Sequence, residues 1–340
     1  MLDPSPRGRF RLGRRQEAVP HLVGIPGNPI PPGLVAQRVT ARDGRVLRAA
    51  RASVKRPRGT VLIVCGRGDF IERWFETISD LLARRFAVAI FDFRGQGGSS
   101  RRHRNRHCDG LRSFREYDDD LASVMKQLVT PDCPPPFYAL GHSTGGLVLL
   151  RAIRQNNWFE KVVLSAPLLG VDAGNWPAWL ARFFCRLVPA VGCGHWFLPG
   201  AVRHPFTMAD FPGNPLTSDR RRFARAIAAL EAAPELGLGG PTFGWLGAAL
   251  VAMDELQKAP IRFRTPVLIV AAGRDRVVDS DAARRFAARN GLSFVTIPES
   301  EHEILIETDA IRAQFLGALD AFFDRSTRSE NAESVLEQTG

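Results

Sequence analysis

Three residues of this 340-residue chain, Ser143, Asp275 and His302, have types and an order that could do nucleophilic chemistry together. Ser143 lies in Phe137-Tyr138-Ala139-Leu140-Gly141-His142-Ser143-Thr144-Gly145-Gly146, which leads into the apolar run Leu147 to Leu150. That pattern predicts a short buried strand, a sharp turn at the serine and a helix directly after it. A serine on such a strained turn has its hydroxyl aimed out of the sheet edge. Gly141 and Gly145 fit the close approach of strand and helix there, where side chains would collide. A serine hydroxyl is a poor nucleophile until a base takes its proton, and the base needs an acid to orient it. In this architecture the chain order is serine, acid, histidine. Asp275 is the first carboxylate after the apolar run Val267 to Ala271, in the loop Gly273 to Asp279. Asp279 reads instead as a turn or helix-capping residue. His302, in Glu299-Ser300-Glu301-His302-Glu303, follows the next strand. Gly-x-Ser-x-Gly arises by chance in glycine-rich loops, and a lone Asp or His in a loop is usually idle. Three such residues in the required order, each at a strand's C-terminal end, are much harder to reach by accident, and ligand chemistry in open α/β sheets gathers at that edge.

An oxyanion formed at Ser143 needs N–H donors. Thr144 offers one at the start of its helix, and the loop after Val61 to Val64 offers the Arg67 N–H as the second. His142 reads as structural. His103, His107, His195 and His204 have no partner pattern and suit surface or packing roles. Cys65 suits packing, and Asp92 suits tying its strand-end loop. This chemistry calls for no metal and no organic cofactor.

The elements that must hold these residues alternate. Val35 to Val39 and Val46 to Val54 flank Asp43-Gly44, a strong hairpin signal. Thr60 to Val64, Ala87 to Phe91 and Lys161 to Ser165 are continuous apolar runs of the kind buried on both faces of a parallel sheet. Ile71 to Arg84 and Ser113 to Val129 have helical spacing, the second with Glu116 and Asp118 to Asp120 placed to suit the helix dipole. The expected fold class is α/β, a mostly parallel sheet with helices on both faces. From about Leu168 to Arg264 the alternation stops. Trp176 to Val188, Asp219 to Ala232 and Phe243 to Leu256 read as helices rich in aromatic residues, which either pack the insertion onto the sheet or line a dry cleft for acyl chains. The alternation resumes with Pro266 to Ala271, Asp281 to Ala288, Ser293 to Ile297 and Ala310 to Phe323. The expected organisation is a basic, flexible arm (1–33), a core (34–167 and 265–325), a helical cap insertion (168–264) and a disordered polar tail (326–340).

Net charge is +11, nearly all from arginine; Lys55, Lys126, Lys161 and Lys258 are the only lysines. No nucleic-acid module accompanies the charge, so the Arg101 to Arg106 loop argues for nucleic acid through charge alone. A basic surface can hold anionic lipid headgroups, which makes peripheral contact with a membrane's inner face an expectation. The five cysteines form no CxxC pair and suit free thiols in a reducing, cytoplasmic compartment. The first residues, Met1 to Gln16, lack the apolar run of a secretory signal. No stretch reaches the roughly 18 charge-free apolar residues of a spanning helix.

Beyond the elbow, Asp92-Phe93-Arg94-Gly95-Gln96-Gly97 with Ser99, Gly66-Arg67-Gly68-Asp69 with Glu72 and Trp74, and Asn214-Pro215-Leu216-Thr217-Ser218 belong to one recognisable pattern. Leu238 to Trp245, Gly273-Arg274-Asp275 and His302-Glu303-Ile304-Leu305 complete it. Together they resemble the α/β-hydrolase superfamily, and within it the bacterial lysophospholipases and related monoacylglycerol lipases, from about Val35 to Phe323. The resemblance implies an α/β-hydrolase fold and a serine hydrolase with Ser143, Asp275 and His302 as triad and Arg67 and Thr144 as oxyanion donors. It implies a single-chain lipid ester as substrate. The chain departs from many members in having Cys65-Gly66 where His-Gly is common, and Thr144 where Met is common. Neither change removes a backbone N–H, though acyl-pocket shape is affected. Rival readings are a short-chain carboxylesterase or serine aminopeptidase on the same triad, and a non-catalytic binding protein. A haloalkane dehalogenase or epoxide hydrolase would have Asp in place of Ser143.

Overall fold

The computed structural model describes residues 21–171 and 178–324. Eight strands form one sheet: β1 (Val35–Thr40), β2 (Val46–Ala52), β3 (Thr60–Val64), β4 (Ala87–Phe91), β5 (Phe137–His142), β6 (Lys161–Ser165), β7 (Val267–Ala272) and β8 (Ser293–Ile297). Their spatial order is β1-β2-β4-β3-β5-β6-β7-β8. β1 and β2 form the antiparallel hairpin about Asp43-Gly44, and β2 runs antiparallel to β4. From β4 to β8 every pairing is parallel, so these strands all end at one edge. The central strands β3, β4 and β6 are buried at every residue, as their unbroken apolar sequences require, whereas β8 alternates between exposed and half-buried positions before ending in buried Ile297.

Helices α1 (Phe75–Ala83), α2 (Arg115–Val124), α4 (Thr144–Ile153), α8 (Ser280–Asn290) and α9 (Asp309–Asp324) pack with the sheet. A 3-10 turn, Ile71–Trp74, opens α1. The run expected as one helix from Ser113 to Val129 is α2 followed by a π-turn, Met125–Val129, and one last turn, α3 (Thr130–Asp132). Its acidic cluster serves ion pairs more than the helix dipole. Asp120 is buried and takes Arg94 at 2.6 Å, while Asp118 takes Arg151 at 2.8 Å.

Between β6 and β7 lie α5 (Ala178–Ala190), α6 (Arg220–Ala232) and α7 (Phe243–Gln257). They are not one separable layer. Trp245, Ala249, Ala252, Met253 and Leu256 of α7 belong to the main hydrophobic core. In contrast, Ala229 of α6 joins a small separate cluster with Phe70 and Leu236.

The arm expected over 1–33 is corrected in part. Residues 1–20 lie outside the described ones, but the chain from His21 onward is bonded to the body. Val23 N–H donates to Glu72 Oε1 at 3.1 Å, and Asn28 donates its side-chain amide to the Glu72 carbonyl at 2.9 Å. The segment is held there by Leu22, Val23 and Ile25, which pack against the hydrophobic clusters, and by the Val23 N–H, which satisfies a buried carboxylate. The tail at 326–340, and Trp176 at the start of the first insertion helix, also lie outside the described residues.

Candidate active site

Ser143 sits between β5 and α4 with φ 49° and ψ −114°, a backbone conformation strained for any residue with a side chain. Backbone hydrogen bonds fix the turn. The Ser143 N–H donates to the Ser165 carbonyl at 3.0 Å, and its own carbonyl accepts from Gly146 and Leu168 at 3.0 Å each. The flanking glycine is forced: a Cβ on Gly145 would lie 2.0 Å from the Val64 carbonyl oxygen. Helix α4 could not approach β3 with any other residue there.

Asp275 and His302 come together from the loops after β7 and β8. His302 Nδ1 lies 2.8 Å from Asp275 Oδ2, and both side chains are buried. A carboxylate only accepts, so Nδ1 carries the hydrogen and Nε2 is the free basic nitrogen. Asp275 Oδ1 accepts from the N–H groups of Val277 and Val278 at 2.8 and 2.9 Å. Burial pushes the Asp275 carboxyl up, but the His302 ring and these two N–H donors outweigh it and hold the group below the usual range. Asp279 caps α8, accepting from Ala282 N–H at 2.9 Å, as its position in the sequence suggests.

The histidine loop is braced from the insertion. Pro215 and Leu216 carbonyls accept from the His302 and Glu303 N–H groups, and Thr217 Oγ1 donates to the Ile306 carbonyl at 2.7 Å. Asn214 closes that brace on itself, its Oδ1 accepting from Leu216 and Thr217. The Asn214 to Ser218 motif therefore positions His302 from about ninety residues away.

Ser143 Oγ makes no hydrogen bond to His302 Nε2 in this structure, although the adjacent His142 ring centroid is 4.9 Å from that of His302. His142 donates through Nδ1 to the Ser165 carbonyl at 3.2 Å. Burial, with the nearby His302, lowers its pKa to about 4, so it stays neutral and structural. Cys65 is fully buried, which pushes its thiol up and removes it as a nucleophile near neutral pH.

In the loop after β3, Gly66 N–H donates to Asp69 Oδ2 at 2.8 Å and Gly68 N–H donates to Gln96. Between them the Arg67 N–H has no partner among the described residues. The Thr144 N–H opens α4 and, like every first-turn amide, has no intrahelical acceptor. The Arg67 side chain does work that sequence reading missed. Its guanidinium bonds buried Asp109 at 2.9 Å and the carbonyls of Gly239 and Gly240 at 3.0 and 2.6 Å, and it lies over the Trp245 ring. The glycine pair 239–240 answers a different contact: a Cβ on Gly239 would meet the Phe197 ring at 2.9 Å, and one on Gly240 the Ala201 Cβ at 2.9 Å.

Beside His142 a small cavity, partly open to solvent, is lined by Asp69, Arg73, Trp74, Glu303 and Leu305 among others. Arg73 spans it, paired with Asp69 at 2.9 Å and with Glu303. None of the insertion's aromatic residues lines it, so the dry aromatic cleft expected from the sequence is not this cavity. Among the described residues no group of three or more His, Cys, Asp or Glu side chains could hold a metal, and no helix is long and apolar enough to cross a membrane.

The family model Hydrolase_4, described as serine aminopeptidase, S33, matches residues 55–309. The chain belongs to this family. As an α/β-hydrolase it is an enzyme, and its relatives are hydrolases. It is 30% identical over 285 residues to lysophospholipase L2 of Escherichia coli K12, covering 78% of this chain and 80% of that protein. It is 27% identical to the probable lysophospholipase L2 of Haemophilus influenzae, over 78% of this chain and 84% of that one. Among solved structures, a soluble variant of Saccharomyces cerevisiae monoglyceride lipase in complex with a substrate analogue aligns with a TM-score of 0.65. The alignment has 20% identity and covers 85% of this chain and 96% of that one. At that identity the likeness bears on the fold.

Proposed function

We propose that this hydrolase cleaves the carboxylic ester of a single-chain lipid, a lysophospholipid or a monoacylglycerol, through an acyl-enzyme on Ser143. The observation that carries the reading is the 2.8 Å hydrogen bond from His302 Nδ1 to Asp275 Oδ2 at the same sheet edge as the strained Ser143 turn. Ser143 Oγ attacks the ester carbonyl while His302 Nε2 takes its proton, and Asp275 stabilises the imidazolium that forms. The Arg67 and Thr144 N–H groups receive the tetrahedral oxyanion. His302 returns the proton to the departing alcohol, and water then releases the fatty acid by the same steps in reverse order. The lipid assignment is supported by the curated relatives named as lysophospholipases, at 30% and 27% identity.

Aminopeptidase activity, which the family description suggests, finds no free carboxylate in the cavity beside His142. A peptide's N-terminal ammonium needs a free carboxylate, and Asp69 and Glu303 are both engaged by Arg73. The deciding experiment measures product release from lysophosphatidylcholine, a monoacylglycerol, a short-chain aryl ester and an aminoacyl-anilide, with Ser143→Ala alongside. Turnover of either lipid, lost in Ser143→Ala, is expected. Turnover of the short ester alone would leave the nucleophile in place and overturn the lipid reading.

A further inference from the structure

The insertion carries an apolar face that the hydrolytic chemistry does not use. On α5, Trp179, Phe183 and Leu187 recur every four residues, so they form one stripe along the helix. They are 69%, 52% and 44% exposed, and Val191 and Trp196 just beyond the helix are 66% and 55% exposed. Half of the large exposed hydrophobic side chains in the described residues fall in this short stretch. The opposite side of the helix is packed, with Cys185 buried and Leu180, Ala181, Phe184 and Val188 half-buried. Cys185 faces α7, and a Cβ on Gly247 of α7 would lie 2.4 Å from the Cys185 carbonyl oxygen. The outward stripe is therefore not a loosely packed helix waiting to rotate inward.

The rim of this face is basic. Arg186 lies on α5 between Phe183 and Leu187 and is exposed, with no ion pair among the described residues. Beyond the helix, His195 stacks on His103 at 4.9 Å, and Cys108 contacts the His195 carbonyl. This brings the arginine-rich loop 101–107 against the end of the apolar stretch. In that loop Arg101 is tied down, donating to the carbonyls of Gly95, Gly97 and Glu235. Arg104 stays exposed with no partner among the described residues, as does Arg203. The acid on the α5 side, Asp254, is neutralised by Arg182 at 2.5 Å.

We propose that the outer face of α5, together with Trp196 and the basic rim at Arg104, Arg186 and Arg203, docks this protein on an anionic lipid bilayer. Trp and Phe beside unpaired arginines are the composition of a helix lying in a membrane interface: rings enter the headgroup boundary while guanidinium groups meet lipid phosphates. A second copy of this chain is the poorer occupant. A two-fold contact through the stripe would bring Arg186 close to its own image with no acid free to answer it. The face also connects to the site. Phe243 N–H donates to the Trp196 carbonyl at 2.9 Å, and α7, which begins there, carries the Trp245 that covers Arg67. The proposal goes beyond the ester-hydrolase reading and does not depend on it.

The test uses full-length protein, co-sedimented with vesicles of phosphatidylglycerol and phosphatidylcholine, and compares it with Trp179→Glu/Phe183→Glu. Wild-type protein is expected to sediment with the vesicles, less so in high salt, and the variant to bind about tenfold more weakly or worse. The variant's hydrolysis of a soluble short-chain ester should be unchanged, which shows that it folds. Ser143→Ala should bind vesicles as wild type does, so loss of catalysis and loss of docking are read separately. Absence of wild-type binding at low salt would overturn the proposal. So would a wild-type dimer that the double substitution converts to monomer, since a second copy would then cover the face.

Discussion

Two clusters of buried charge stand at strand ends, and they differ in what is left over after pairing. In the first, Arg48 of β2 donates to Asp92 at 2.7 Å and to both oxygens of Glu72 at 2.7 and 2.8 Å. The remaining acceptors are taken by Ile71, Gly98 and Val23 N–H groups. Every valence is spent inside the protein, and all three side chains are at most 3% exposed. In the second, Asp275 is spent equally well, but His302 keeps Nε2 without a partner among the described residues. Closed networks hold a fold, and a network with one unspent basic nitrogen next to a strained serine is equipped for proton transfer.

That contrast can be broken or sharpened by substitution. Asp275→Asn should lower kcat by about four orders of magnitude, since an amide stabilises the wrong imidazole tautomer, while the melting temperature changes little. A large loss of stability with modest loss of rate would put Asp275 in the closed class instead. Glu72→Ala should do the reverse. It leaves Arg48 buried beside one acid and should cost about 3–5 kcal/mol in urea unfolding, with kcat of the folded fraction near wild type.

Glu76 gives a third comparison, on pH. Burial raises its pKa, but bonds from Arg222, Arg225 and Arg312 outweigh this and bring it down to about 2. A depressed folded pKa gives stability that is present above the unfolded value and lost as pH falls through the folded one. Glu76→Gln should thus be destabilised by about 3 kcal/mol at pH 7, and the gap from wild type should close between roughly pH 5 and 2. A gap that is constant across that window would show that the carboxylate's charge is not the cause. Among residues at the site, the smallest expected effect on rate is at Arg67. Arg67→Ala keeps the backbone N–H, releases the carbonyls of Gly239 and Gly240 and leaves buried Asp109 without its cation, so stability should fall and the side chain's part in the site is read as kcat of the folded fraction, expected about tenfold lower. An unchanged kcat would separate the side chain from the site.

Much of this was legible in the residues. The unbroken apolar runs of β3, β4 and β6 gave a parallel sheet its centre, and Gly141-x-Ser143-x-Gly145 fixed where strand meets helix. Asp279 was read as a cap from its place before α8. The closed cluster was not legible, because Arg48, Glu72 and Asp92 pair across more than twenty residues and a long-range pair leaves no period in the chain. The segment after His21 was misread for the same reason: its binding to Glu72 depends on a partner far away. Nor could the insertion be divided in advance. The aromatic content of α5 looks like core, yet Trp179, Phe183 and Leu187 of that helix face outward. The alanine-rich α7, with Gly247 pressed on Cys185, is the one that enters the core.

The choice of arginine throughout the scaffold's charged clusters has a further consequence. Arg48, Arg94 and Arg222 are each bound to buried or half-buried carboxylates, and although burial opposes their charge at Arg48 and Arg94, the partners drive all three further above a range already far from neutrality. No alkali in which a lipid ester itself survives can discharge them. A lysine scaffold would begin to lose its ion pairs as pH climbed past 10, and its activity would fade through unfolding. In this protein the ion pairs outlast the chemistry, so the high-pH limb of a rate profile reports on the reacting groups and the substrate.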